Sequence, residues 1–476
     1  MATPPGQAAV TRLHRGRLLS PTAPDRLSHV ADGCLAVDAS GRIAAVGDFP
    51  TLAGQFPDLP ITDWRPAAIL PGLIDLHAHI PQYAAMALDG YDLLPWLQRF
   101  IYPTEAAFAD PDHALAVSRR FFSAALARGT TTALLYATVH AEGTRMAFRA
   151  AEEAGVRAAI GKVMMDRNSP PELCEDTRES LRASEALCAQ WHGAAEGRLR
   201  YAFTPRFAIT CSPELMGETA KLAEEHGALI QTHLAENPDE LAAVGRMFPS
   251  APHYTGVYAE AGLLGPRTVM AHCLYLAPAE WDLLAETTTR IAHCASSNFF
   301  LRSGVFDLAQ ARTRGITVGL GTDVGAGPSL SMFDEMQSAC FASRARHATE
   351  RAAGDRLAAF RSEFAALPEG EALFGRVAAR LGLQDAVTLV SPLHAFYMAT
   401  VGSAQALGLE REIGKLEAGT WADFVVVQPP PPEARELTPA ELLSQIVYRT
   451  DPSAILATYV AGAPRGPRAG GVPPLP

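Results

Sequence analysis

No stretch of this 476-residue chain approaches the ~18 consecutive apolar residues that cross a bilayer, which argues against a helical membrane protein. Its lysines and arginines form no stripe, and acids outnumber them to a net charge of -11, so nucleic acid and anionic membranes are excluded as partners. The cysteines, Cys34, Cys174, Cys188, Cys211, Cys273, Cys294 and Cys340, number seven at wide, irregular spacing with no CxxC pair. That excludes a disulfide framework and suits reduced, mostly buried thiols in a cytoplasmic protein. A low-complexity excess is also missing: with 48% apolar and 19% charged residues, the composition is that of an ordinary soluble enzyme. The first 24 residues have no acid and carry Arg12, Arg15 and Arg17, a faint echo of a transit peptide. A first strand over Thr11 to Leu19 explains them better.

What is present is strand and helix in alternation. Eight apolar β-like runs can be counted, over Ala68 to His79, Thr130 to Ala137, Arg157 to Asp166, Leu199 to Phe207, Ala228 to Glu236, Thr268 to Tyr275, Arg290 to Ser296 and Ile316 to Val324. Ala-rich stretches such as Ala114 to Arg128 and Glu214 to Glu225 read as helices between them. Repeated βα units of this number imply an α/β fold with a TIM-type (β/α)8 barrel, whose sites sit at the C-terminal ends of the strands. Outside the barrel, Leu35 to Phe49 reads as a hairpin around Asp-Ala-Ser-Gly, while Ile413 to Val427 and Ala457 to Gly462 add strands near the other end. Both ends are expected to form one small β-sandwich domain, 1–66 plus 412–476, leaving 67–411 for the catalytic barrel. Pro429 to Pro432 and the tail from Gly462 read as loop and unstructured end.

The first barrel run ends in His77-Ala-His79, and alternate residues of a strand share a face, so both imidazoles can close on one ion. Listing the polar groups at the other strand ends adds His233 and Glu236 at the fifth strand, His272 in the sixth and Asp323 at the eighth. Each has a bland alternative: a core histidine, a bond to a neighbouring strand, a helix cap. Together they do not, because unrelated structural residues have no reason to collect at one end of separate strands. Three imidazoles and a carboxylate suit zinc, or ferrous iron, and such an ion lowers the pKa of bound water towards ~7. Glu236 is three residues from His233 and can act as the acid and base of a deamination, with first-turn helix stabilisation as its bland alternative. His140 follows the second strand near the mouth, and His293 reads as structural. His140-Ala-Glu142 starts like the cytidine-deaminase zinc signature, but the P-C-x-x-C it requires is absent. Gly319-Leu-Gly321 hints at a dinucleotide loop, but the third glycine is misplaced.

These residues resemble the amidohydrolase superfamily, and within it the zinc-dependent guanine deaminases. Pro71-Gly-Leu-Ile-Asp-Leu-His-Ala-His-Ile-Pro-Gln-Tyr83 is similar to that family's first-strand motif, and its Pro-Gln-Tyr is far more selective than the H-x-H shared across the superfamily. The likeness continues through Tyr102-Pro-Thr-Glu105, Tyr136-Ala-Thr-Val-His140, Thr204-Pro-Arg-Phe207, His233-Leu-Ala-Glu-Asn237, Ala271-His272, Ser297-Asn298 and Gly319-Leu-Gly-Thr-Asp-Val324. It implies one zinc per chain on His77, His79, His233 and Asp323, with ferrous iron as the alternative. It also implies hydrolytic deamination of guanine to xanthine and ammonia in purine catabolism, by a cytoplasmic homodimer. Glu236, His272 and Asp323 become catalytic, His272 orienting the attacking water and Asp323 accepting its proton; Gln82, Arg206 and Phe207 bind the purine. Four positions depart from the family pattern: Leu234-Ala235 replaces Ile-Ser, Cys273 replaces Gly and Ala295 replaces Pro. Two rivals remain. One is a deaminase of a related amino-heterocycle such as 8-oxoguanine, a pterin or a triazine. The other is a binuclear cyclic-amide hydrolase, disfavoured because its bridging fourth-strand lysine has no counterpart in Leu199 to Phe207.

Overall fold

A computed structural model describes residues 8–367, 369–380, 389–431 and 435–466. Its strands, in chain order, are β1 (Val10–Ala23), β2 (Arg26–Asp38), β3 (Ile43–Asp48), β4 (Ile61–Pro71), β5 (Leu73–His79), β6 (Thr130–Tyr136), β7 (Arg157–Gly161) and β8 (Val163–Met164). They continue with β9 (Leu199–Pro205), β10 (Leu229–Leu234), β11 (Thr268–His272), β12 (Arg290–His293), β13 (Val318–Leu320), β14 (Phe424–Val427), β15 (Ile455–Val460) and β16 (Ala463–Arg465).

Seven strands from the two chain ends make one mixed sheet, ordered β16-β15-β14-β4-β1-β2-β3. Only the β1–β4 pair is parallel; the rest are antiparallel. The β2–β3 hairpin forms as its turn chemistry predicts, with the Asp38 carboxylate accepting from the backbone N–H groups of Ser40 and Arg42. One face of this sheet packs Leu18, Leu35, Ile69, Phe424, Val426 and Tyr459 together.

The second sheet runs β5-β6-β7-β9-β10-β11-β12-β13, every neighbour parallel, with β8 paired to β9. Both faces are covered, one by the outer helices and one by the barrel interior, so β5 and β6 are buried along their whole length instead of alternating in and out. Between the strands lie the expected helices, including Pro111–Leu126 and Pro213–Glu225, capped by Asp110 and Ser212. The barrel closes where the eighth strand meets the first: Asp323 N–H donates to His77 O and His79 N–H to Val324 O, each at 2.7 Å.

Several expected boundaries shift. The run Ala68 to His79 is two strands, because the chain leaves the mixed sheet at Pro71 and enters the barrel at Leu73. Gly72 makes that crossing, and a Cβ there would lie 2.2 Å from Thr131 Oγ1. The run Arg290 to Ser296 turns into the helix Ala295–Phe300, and regular pairing in the last run covers only Val318–Leu320. Gly462 does not begin an unstructured end: with φ at 72° it turns the chain into β16, which pairs with β15 as an edge strand where Pro464 is tolerated. Residue 432 of the Pro-rich stretch and the tail beyond 466 lie outside the described residues. The expected junction at 66 falls inside β4.

Candidate metal centre and active site

The C-terminal ends of β5, β10, β11 and β13 converge. His77 and His79 leave β5 on the same face with their Nε2 atoms 3.3 Å apart, and His233 Nε2 lies 3.3 Å from that of His79. Asp323 Oδ1 completes the group, 3.2 Å from His77 Nε2 and 3.3 Å from His79 Nε2. His233 Nδ1 faces the carbonyl of Arg206 at 2.8 Å; it carries the ring proton, and its Nε2 is a bare lone pair. Bare lone pairs facing each other at this distance repel unless a cation lies between them. Bonds of about 2.0–2.1 Å in a tetrahedral site place the ligand atoms roughly 3.3 Å apart, which matches these spacings. The donors brought together here, His77, His79, His233 and Asp323, therefore fit a divalent metal ion.

Burial and charge are consistent with that use. Burial, together with the neighbouring imidazoles, lowers His233 well below its ordinary value and His79 to about 4, so both keep neutral, metal-ready rings at neutral pH. Burial pushes Asp323 the other way, but His77, His79 and His272 outweigh it and hold its carboxyl well below the usual range. The two Asp323 oxygens divide: Oδ1 faces the imidazoles, while Oδ2 accepts from Ser297 Oγ at 2.6 Å and lies 3.8 Å from His272 Nε2. His272 is oriented by Asn298, whose Oδ1 lies 2.9 Å from its Nδ1, and its Nε2 points into the cluster 3.5 Å from Glu236 Oε2. His272 and Asp323 sit at φ values of 71° and 50°, in the left-handed region that side chains seldom enter. The strand ends are bent to aim these groups inward.

Glu236 is free of the helix it precedes. The helix Pro238–Met247 is capped by Asn237 and by Glu240, whose Oε2 accepts from the N–H groups of Glu236 and Asn237. The Glu236 carboxyl, buried beside Ser303 Oγ, faces the cluster instead. Burial, with the carboxylates of Asp323 and Glu240 nearby, raises it well above the usual carboxylate range.

The pocket beside these groups is lined by His79, Gln82, Arg206, Phe207, His233, Glu236 and Asp323, with Leu93, Trp96, Leu97, Leu301 and Ala326 as its apolar walls. Gln82, Arg206 and Phe207 are thus brought to the same cavity as the metal group. His140 and His293 are not: His293 stacks on Phe306 at 4.8 Å, and neither lines the cavity. Four contributors have no role in the sequence reading, although its motifs include them: Asp75, Glu105, Ser297 and Asn298. Asp75 accepts from His77 N–H and from Thr322 N–H and Oγ1, joining the first strand to the last beneath the ligands. The two-residue period that pairs His77 with His79 also puts Asp75 on their face, so its signal was present.

Known proteins bear on this arrangement. The pattern of the amidohydrolase family matches residues 68–362 and 355–464, nearly all of the barrel and most of the chain beyond it. The guanine deaminase of Escherichia coli is 36% identical over 444 residues, 92% of this chain and 91% of that protein. This chain belongs to the amidohydrolase family. Among solved structures, the guanine deaminase of C. acetobutylicum with guanine bound in its active site superposes with a TM-score of 0.83 at 30% identity, over 95% of this chain and 99% of that one. A guanine deaminase from Bradyrhizobium japonicum reaches a TM-score of 0.84 at 29% identity, covering 96% of this chain and 99% of that one. The α/β barrel with a sheet from both chain ends is thus the fold these enzymes share. The family's hydrolysis of C–N bonds agrees with a candidate metal group beside a pocket.

Proposed function

We infer that the chain is a guanine deaminase, hydrolysing guanine to xanthine and ammonia in purine catabolism with one zinc ion per chain, ferrous iron being the alternative. The observation that carries the reading is the meeting, beside one pocket, of the donors His77, His79, His233 and Asp323 with the polar clamp of Gln82 and Arg206. The chemistry such an ion brings is the acidification of water, whose pKa falls towards ~7. The side chains do the rest. Arg206 presents N–H donors to a ring carbonyl oxygen, a match to the oxopurine edge, and Gln82 can donate and accept beside it. Phe207, Trp96 and Leu93 supply the apolar walls that exclude water from a flat heterocycle.

Asp323 Oδ2 and His272 Nε2 lie on the same side of the cluster, where they orient the attacking water and take up its proton. Glu236, whose carboxyl burial raises well above the usual carboxylate range, delivers its proton to the ring nitrogen next to the amino-bearing carbon; the emptied carboxylate then takes the proton of the added hydroxyl and passes it to the departing amine, and the proton held by Asp323 restores Glu236. Ammonia then leaves as the carbonyl of xanthine forms. The binuclear alternative finds no support in Lys162, whose Nζ is tied to Glu175 at 2.5 Å and to Ser180 at 3.2 Å, away from the imidazoles. A cytoplasmic homodimer remains our proposed setting; seven free thiols suit a reducing compartment, and no described helix is long and apolar enough to cross a membrane.

A panel of guanine, 8-oxoguanine, a pterin and an aminotriazine, each followed by ammonia release from metal-loaded protein, separates this reading from its neighbours. Guanine is expected to have the highest kcat/KM. A higher value for any of the others would assign the chain to that substrate.

A further inference from the structure

Behind the cavity wall, on the short helix Tyr102–Ala106, the Glu105 side chain is 2% exposed and touches neither the metal group nor the cavity. Its two oxygens are used separately. Oε1 accepts from Gln82 Nε2 at 2.9 Å, and Oε2 accepts from Arg206 Nη1. Gln82 is held from its other end as well, since Gly325 N–H donates to its Oε1 at 3.3 Å. A side-chain amide is nearly symmetric in shape, so which end donates is decided by its partners. Here both partners agree: a carboxylate can only accept, and a backbone N–H can only donate. Nη1 is the only guanidinium nitrogen of Arg206 hydrogen-bonded to protein among the described residues, and the rest of the guanidinium is left for the cavity it lines.

We propose that Glu105 is the positioning residue of the substrate clamp: one carboxylate that fixes the donor–acceptor polarity of Gln82 and the pose of Arg206, and so sets the preference for a ring bearing a carbonyl. The inference rests on the guanine reading. It assigns specificity to a group that never meets the substrate. Glu105 can serve because it is buried, carries the charge that balances Arg206, and commits one oxygen to each partner. A neutral amide in its place can donate as readily as accept, so Gln82 keeps only the 3.3 Å bond from Gly325 N–H to set its sense and Arg206 loses its counter-charge.

The test is steady-state kinetics of wild type, Glu105→Gln and Glu105→Asp with guanine and with 2-aminopurine, with metal content measured on the same samples. 2-Aminopurine keeps the amino-bearing carbon but lacks the carbonyl, and is followed as a substrate or, failing turnover, as a competitive inhibitor. For Glu105→Gln the expected result is unchanged metal content, a guanine KM raised at least ~10-fold with kcat within about 3-fold, and 2-aminopurine altered by less than about 3-fold. Glu105→Asp keeps the charge for Arg206 but is one methylene short of Gln82, and falls between the two. Equal losses on both compounds, or an unchanged guanine KM, overturn the proposal, as do variants of both kinds that come out insoluble or stripped of metal. Wild type that leaves guanine intact brings down the guanine reading and this inference together; wild-type activity with an unaffected Glu105→Gln brings down this inference alone.

Discussion

Glu236 and Glu240 stand four residues apart on one loop-to-helix junction, and the structure gives them opposite work. Glu240 accepts from two backbone N–H groups and from Tyr254 Oη, completing the helix cap. Glu236 is thereby released to face His272. From the sequence Glu236 reads as catalytic, with a first-turn helix carboxylate as its bland alternative; the cap geometry gives that second role to Glu240. If Glu236 handles the protons, Glu236→Gln removes that ability with little change in shape; kcat for guanine is expected to fall by about 10²–10⁴-fold while the metal content stays at the wild-type level. Loss of metal along with activity would make Glu236 a structural support instead. The candidate ligands were legible because strand periodicity and residue type coincide at His77 and His79. Asp75 and Glu105 were not assigned, since an isolated acid in sequence carries no sign of what it will face across the barrel.

Elements explain the glycines that motif reading left over. Gly319-Leu-Gly321 has no nucleotide to hold; it lets the last strand close on the first. A Cβ on Gly321 would lie 2.6 Å from His77 Cβ and 2.8 Å from its backbone nitrogen, neither of which can move without carrying the ligand along. Gly321→Ala is therefore expected to lower both metal content and turnover by roughly tenfold or more, a geometric penalty of the kind that follows from about 1 Å of misplacement. Full metal occupancy and normal kcat in that variant would show that the strand crossing has slack. Strand count and order could be read from alternating βα text. The split at Gly72 and the extra strand β16 could not, because an apolar run does not announce which of two sheets each half will join.

The mixed sheet reports on the whole molecule, since its strands come from both chain ends. His14 is fully buried there, its ring edge-on to Phe424 and Tyr459 and its Nδ1 accepting from Trp64 Nε1 at 3.3 Å. Burial, with the charge of Arg12 adding to it, lowers this imidazole to about 4. Unfolded, it takes its proton near 6.5, so between pH 6.5 and 4 the unfolded chain binds a proton the native one refuses. Stability from this residue is complete above about 6.5 and drops on acidification by about 1.4 kcal/mol per pH unit within that window. Urea unfolding at pH 7 and pH 5 is expected to show a smaller acid loss for His14→Phe than for wild type; equal losses would place His14 in contact with water.

The barrel, its closing strand and the cavity together serve one claim, that a single metal ion and a fixed polar clamp deaminate guanine. The measurement that meets this claim most directly is xanthine formation from guanine with the metal content determined on the same sample. One metal equivalent per chain, xanthine and ammonia in equal amounts, and loss of both on chelation with recovery on adding zinc is the result predicted. Two ions per chain, or fully metal-loaded protein that leaves guanine unchanged, would contradict it.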